Sequence, residues 1–254
     1  MKKLIPILLL TLVGGVFAAA DLCFLVDDSG TSSNVSLIAP LLCDSMSESF
    51  TYEIATDNGD TGVHASDPAW WSNYRVVIWY AMGDNGNGRL LTEAERAAAD
   101  DFITGGGWLM VVGADMVGSP NDPIMAELIR SIGIGDGPSE NSATVTDESH
   151  FIVDGPYGTF TGSFGLNGNY GHDHLIPNGN EGCVEVMSID NSTYSKLMFC
   201  STGQGSVTAW NGNCNQVDWW DSADFANMAR NWISEALATA TVEETTWGQL
   251  KALY

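Results

Sequence analysis

Apolar positions along the chain come in short runs separated by Gly-rich polar stretches, and the period of each run predicts its element. Residues 22–27 (Leu-Cys-Phe-Leu-Val-Asp) read as a strand that delivers acids to a loop, Asp27-Asp28-Ser29-Gly30. Leu37, Ile38, Leu41 and Leu42 recur at helical spacing and predict a helix over 35–47, with Ser33 or Asn34 as its cap. Phe50 to Ala55 alternates as a second strand. Arg75-Val-Val-Ile-Trp-Tyr-Ala81 is a third, continuously apolar as strands buried on both faces are. After the Gly83–Gly88 loop, Thr92 with Glu95 three residues on is a capping box that opens a helix to about residue 104. Gly105-Gly-Gly closes it, and Trp108-Leu-Met-Val-Val-Gly113 is a fourth strand. Asp122 before Pro123 starts another helix, which Gly133 stops.

The second half has a different rhythm. Short runs at Ala143–Thr146, Cys183–Ile189, Lys196–Cys200 and Ser206–Trp210 predict strands joined by long polar loops, and a helix follows over 223–237. Alternating strands and helices with short loops predict an α/β fold, an open and mostly parallel sheet with helices on both faces. Antiparallel hairpins extend it in the C-terminal half. No Pro/Ser linker divides the chain, so residues 21–240 read as a single domain, with 241–254 as a C-terminal tail. That segment, Thr241 to Tyr254, reads either as a packed terminal helix or as a tail for export or surface attachment, and it resembles the short W-G-x-[IL]-K-x-L-[YF] endings of some secreted bacterial proteins.

Residues 1–20 are a separate object. Lys2 and Lys3 precede an apolar run, Leu4 to Phe17, that closes on Ala18-Ala19-Ala20, the pattern of a secretory signal peptide. The run is shorter than the roughly 20 residues a spanning helix needs. The expected product is therefore exported (extracellular, cell-surface or periplasmic) with no transmembrane segment in the mature chain. Loss of Lys2 and Lys3 takes the net charge from −23 to −25. Such a field repels phosphate backbones, which excludes nucleic acid as a partner and favours solubility or cations.

Export permits disulfides. The five cysteines, Cys23, Cys43, Cys183, Cys200 and Cys214, leave at least one thiol over, and none sits in a C-x-x-C pair of the zinc-ribbon kind. If residues 183–189 and 195–200 flank a turn in which 190 faces 193, then Cys183 faces Cys200. A bridge there is worth about 3 kcal/mol of loop-closure entropy.

Several of these segments occur in a familiar order: Phe24-Leu-Val-Asp-Asp28, the Trp79-Tyr80 strand before a Gly-Asp loop, Leu91-Thr92-Glu93-Ala94-Glu95, Gly105-Gly-Gly-Trp-Leu-Met-Val-Val-Gly-Ala-Asp115, and Gly203-Gln-Gly-Ser-Val-Thr-Ala-Trp210. Over most of 21–237 the chain resembles the class I glutamine amidotransferase-like (flavodoxin-like) superfamily, especially its secreted ThuA-like branches that lack glutaminase activity. Active members carry a nucleophilic cysteine in a Gly-x-Cys-x-Gly turn. The corresponding stretch here is Gly113-Ala114-Asp115-Met116-Val117, so the thiol position holds Asp115, or Ala114 one register away. The resemblance thus implies the scaffold without the glutaminase.

Residues that still carry chemistry fall into three groups. The strand tips should gather Asp27, Asp28 and Asp115 at one rim, where three carboxylates can hold a hard cation such as calcium, or merely cap the following turns. Gly171-His172-Asp173-His174 puts two imidazoles on one face of an extended segment, a ligand pair for zinc or iron if His150, Asp27 or Asp115 supplies a third group. Asp57-Asn-Gly-Asp-Thr-Gly62 spaces oxygen donors around a turn but lacks the distal Glu of an EF-hand, leaving a loose calcium loop or a plain polar turn. The pairs Trp70-Trp71 and Trp219-Trp220 either stack on sugars or proteins or plug the ends of the sheet. Two functions follow: a non-catalytic binding module for an extracellular protein or carbohydrate, or a metal-assisted hydrolase of carbohydrates or amides that uses the Asp27, Asp28 and Asp115 rim, with Asp28 and Asp115 as catalytic candidates, together with His172 and His174.

Overall fold

In a computed structural model, the structure describes residues 20–27, 29–57, 65–81, 90–113, 116–118, 122–137, 142–165, 173–189, 192–212, 217 and 223–251. A nine-stranded sheet runs in the order β2-β1-β3-β4-β11-β10-β9-β5-β8. Its parallel part comprises β1 (Leu22–Val26), β2 (Tyr52–Thr56), β3 (Val76–Tyr80), β4 (Trp108–Gly113) and β11 (Gly205–Asn211). The antiparallel part adds β10 (Ser195–Thr202), β9 (Cys183–Ile189), β5 (Ser142–Val145) and β8 (Ser163–Gly165). A two-stranded ribbon, β6 (Asp154–Gly155) with β7 (Gly158–Thr159), lies apart. The sequence-based expectation of a mostly parallel α/β sheet with antiparallel hairpins in the C-terminal half holds.

Helices cover both faces. α1 (Ser29–Cys43) and α5 (Ala223–Lys251) pack on one face, burying Phe24, Tyr80, Met110 and Trp210 beneath Ile38, Trp232 and Ile233. α2 (Pro68–Trp71), α3 (Glu93–Thr104) and α4 (Pro123–Leu128) pack on the other, over Leu25, Trp79 and Leu109. Thr92 and Glu95 form the expected capping box at the start of α3. Asp67 and Asp122 cap α2 and α4 by the same Asp-Pro device, and the second carboxylate oxygen of Asp122 also holds the Leu91 amide at 2.6 Å. Arg230 of α5 donates to the carbonyls of Leu41 and Leu42, placing a cation on the orphan carbonyls at the end of α1.

Helix boundaries depart from the sequence reading in α1, α4 and α5. α1 starts at Ser29 rather than 35, directly off the β1 tip, so Ser33 and Asn34 lie within the helix and not at its start. α4 stops at Leu128, and Arg130 takes the left-handed conformation at φ 60°. Gly133, expected as the stop, serves a close approach instead: a Cβ there would lie 2.0 Å from the His174 carbonyl. α5 stays helical to Lys251, through the start of the segment set apart as a tail.

Cys183 and Cys200 stand opposite each other in the β9–β10 pair and are bridged, as the turn arithmetic predicted. The ladder is not regular. Ser195 pairs with Ser188 and Leu197 with Met187, leaving Lys196 as an extra residue; a second shift before Met198–Glu185 restores the register.

Candidate functional site

The chain leaves β1 for β2 on one side and returns past β1 to β3 on the other, so strand order reverses between β1 and β3. Ligands of open α/β sheets bind outside the strand C-termini at such a point. Asp27 follows β1 at this place, and its Oδ1 accepts a 2.6 Å hydrogen bond from Trp79 Nε1. Asp57 follows β2 alongside: its amide donates to the Val26 carbonyl at 2.8 Å, and its Oδ2 accepts from the Ala65 amide at 3.3 Å. Asp57 is only 2% exposed. Its Oδ1 is buried and has no hydrogen-bond partner among the described residues.

Further along the rim, β4 ends at Gly113, where a Cβ would meet the Ala81 carbonyl at 2.3 Å; the glycine lets the β3 and β4 tips close on each other. Asp173, fully buried, is fastened over the tips of β4 and β11. Its Oδ2 accepts the Val117 amide at 3.0 Å, its own amide donates to Asn211 Oδ1 at 3.2 Å, and its carbonyl accepts from Asn211 Nδ2 at 2.8 Å. Lys196 is also completely buried, one residue beyond the Leu197–Trp210 pair and therefore beside Asn211 at the same edge.

His174 behaves differently from its neighbour. In an extended segment successive side chains alternate, so when Asp173 points in, His174 points away. Its ring stacks on Tyr194 with centroids 4.0 Å apart and planes 9° apart. Ile132 and Ile134 lie exposed on the strip that pairs with residues 173–177. Together they form a partly apolar shoulder next to the rim.

His150, considered as a third metal ligand, lies at the opposite end of the sheet, between Phe151 and Phe199 beside Trp108 at the start of β4. Burial there pushes its pKa down to about 4. Among the described residues no group of three His, Cys, Asp or Glu side chains is disposed to hold a metal ion. Trp70 and Trp71 present no open face to solvent. They pack against each other and against Tyr74, Trp79 and Phe102, and Trp71 Nε1 donates to the Ala65 carbonyl at 2.8 Å. Asp28, Asp115, His172, Trp219, Trp220, the 83–88 loop and residues 58–62 lie outside the described residues.

The thiols sit away from the rim or deep in the layers. The Cys183–Cys200 bridge spans the other end of the sheet, with Cys200 opposite Val207 near the start of β11. Cys23 and Cys43 are buried free thiols. Desolvation raises both pKa values, Cys43 to about 12 and Cys23 further, which leaves each protonated and unreactive at neutral pH.

No protein-family model matches the chain, and no curated protein matches it in sequence. Solved structures do match in shape. A ThuA-like protein from Bacteroides uniformis aligns with a TM-score of 0.57 at 12% identity, over 83% of this chain and 88% of that one. A ThuA-like protein from Parabacteroides merdae aligns with a TM-score of 0.54 at 10% identity, over 87% and 89%. A cytoplasmic protein from Salmonella typhimurium gives 0.58 at 12% identity, over 84% and 98%. These likenesses show a ThuA-like, flavodoxin-like fold, and at such identities they show the fold alone.

Proposed function

We propose that the protein is an exported, non-catalytic binding module that keeps the amidotransferase-like scaffold and its strand-tip rim without the thiol chemistry. The observation that carries this reading is the fate of the described cysteines: two are bridged at the far end of the sheet and two are buried and protonated. The sequence places Asp115 where the superfamily's nucleophile stands, and a carboxylate cannot form the thioester intermediate of glutamine hydrolysis. Export is supported by the leader pattern and by the disulfide. It is also supported by Asp21, which is tied into the fold through Arg75 and Thr51, so a chain beginning near Ala20 keeps the described contacts of β1. The binding surface is the rim with its shoulder of Ile132, Ile134, His174 and Tyr194. A flat stacked ring pair beside buried polar groups suits an extracellular carbohydrate or protein.

The test is made on protein recovered from the outside of an exporting host. Its N-terminus should begin near Asp21, and it should release no ammonia from glutamine and hydrolyse no chromogenic glycoside, with or without added zinc or calcium. Ammonia release that disappears in Asp115→Ala, or an unprocessed protein retained inside the host, would overturn the reading.

A further inference from the structure

We propose that the strip of residues 131–136 is a docking ledge for a basic, extended segment of another extracellular protein, one that presents apolar side chains at alternate positions. The proposal rests on the binding-module reading and deepens it, choosing protein over carbohydrate as the partner. Ile132 and Ile134 are 66% and 39% exposed, and Ile132 is the most exposed large hydrophobic side chain among the described residues. Alternation puts them there. The strip runs antiparallel to residues 173–177, bridged at Ser131–Pro177 and Asp136–Asp173, with Ser131 and Gly133 buried while Ile132, Ile134 and Asp136 face out. The backbone is fastened along its length. The Ile132 amide donates to the Ile176 carbonyl at 2.9 Å and the Gly135 amide to the Val117 carbonyl at 3.0 Å. Ser131 Oγ donates to the Gly133 carbonyl at 2.9 Å and accepts from the Ile176 amide at 3.2 Å. An apolar row held in this way loses little freedom when a partner covers it.

Shape, spacing and charge select the occupant. A sugar fits poorly, because the His174 ring gives one face to Tyr194 and the side chains standing highest are aliphatic, with no hydrogen-bonding group. Outward side chains two residues apart on an extended chain are spaced by about 6.6–6.8 Å, the repeat at which an extended partner presents its own alternate side chains. Charge then sets the partner's sign. Asp136 continues the outward row beyond Ile134 and is exposed. At the other end Arg130, just before the strip, is bound by Asp100 at 2.7 Å and Glu181 at 3.3 Å. Arg96 beside it is bound by Glu93, Asp100 and Glu127, so two arginines there meet four carboxylates. Both ends of the apolar row are therefore acidic, within a chain of net charge −23. Such a field draws in a basic partner and repels a second copy of the chain.

The probe is a synthetic, fluorophore-labelled peptide with leucines at alternate positions between flanking lysines, titrated against the purified protein by fluorescence anisotropy. Its comparator carries serines in place of the leucines. The leucine peptide should bind about ten-fold more tightly than the comparator, and raising the salt from about 0.05 M to about 0.5 M should weaken it several-fold. Ile132→Ser and, separately, Ile134→Ser should each weaken binding by about five- to ten-fold. Leu37→Ser, at an exposed leucine on α1, should leave it unchanged. Equal binding of the two peptides to the wild type overturns the proposal, as does leucine-peptide binding undiminished in the double variant. So does self-association in sedimentation that is lost in Ile132→Ser, which makes a second copy the occupant, or glycan-array binding lost in Ile132→Ser, which makes it a sugar. All of these are read as binding, so they stand apart from the ammonia release and export that test the module reading.

Discussion

The parallel and antiparallel halves of the one sheet are held by different means. β1, β3, β4 and β11 are buried at every position, sandwiched between α1 and α5 on one face and α2, α3 and α4 on the other. Their side chains are mostly apolar and packed into the two core layers, so packing holds them more than any single tie. Toward the other edge, β5 is buried only at alternate positions, β8 at none, and Val184 on β9 is exposed. Here the sheet relies on discrete ties: the Cys183–Cys200 bridge, the Thr144–Ser163 hydroxyl pair, and the Phe164–Phe225 contact to α5. Distributed packing should thus fail as a whole when one large piece is removed. Discrete ties should fail locally.

The largest expected effect tests the first half of that statement. Trp232 of α5 is fully buried, donates to Thr208 Oγ1 of β11 at 2.8 Å and packs on Trp108 of β4. Trp232→Ala should cost about 3–5 kcal/mol in urea unfolding, with all strands melting together. Next comes the bridge. Replacing Cys183 and Cys200 by serine together should cost about 3 kcal/mol. Hydrogen exchange should then quicken in β9 and β10 while the β1 and β3 amides keep their protection; equal loss in both halves would dissolve the contrast drawn above. Smaller again is the tie between the halves. Asp173→Ala leaves the buried Val117 amide without its acceptor while the backbone bonds to Asn211 remain, and should cost about 1–3 kcal/mol, with faster exchange at Val117 as the local signature.

The same contrast explains what was legible in the sequence. Continuous apolar runs, which only a doubly covered strand tolerates, gave β1, β3 and β4 nearly to the residue. The capping box gave the start of α3, and turn symmetry gave the disulfide. α2 was missed although Asp67-Pro68 repeats the signature read correctly at Asp122-Pro123, because four residues show no period. The rim was half legible. Asp27 stood out as the end of a strand, but Asp173 was hidden between two histidines that drew attention, although alternation requires the middle residue to face opposite to its neighbours. Lys196 could not be found at all. A bulge shifts register through pairing, and nothing in a single strand's pattern marks which residue will be the extra one.

His150 offers the finest probe of how the two halves meet, since its ring packs between Phe151 and Phe199 of β10, beside Trp108 of β4. Burial lowers its pKa from the ordinary 6.5 to about 4, with the Asp147 carboxylate opposing in part. Between those values the unfolded chain binds more protons than the folded one, so stability should rise with pH across that window. The contribution is complete above about pH 6.5 and lost as pH falls to about 4. Because the ring is partly open to solvent, the full swing should be about 1–2 kcal/mol rather than the whole shift. Asp147, whose pKa is lowered by its hydrogen bonds to Ser149, acts in the same direction but at lower pH, beneath its ordinary 3.8. Urea midpoints of wild type and His150→Phe, compared from pH 4 to 7.5, isolate the histidine: the wild-type slope should flatten in the variant while the plateau above pH 7 stays within about 1 kcal/mol. A slope that persists in His150→Phe would mean that the titrating group lies elsewhere, and that this junction is not where acid first separates the parallel strands from their antiparallel extension.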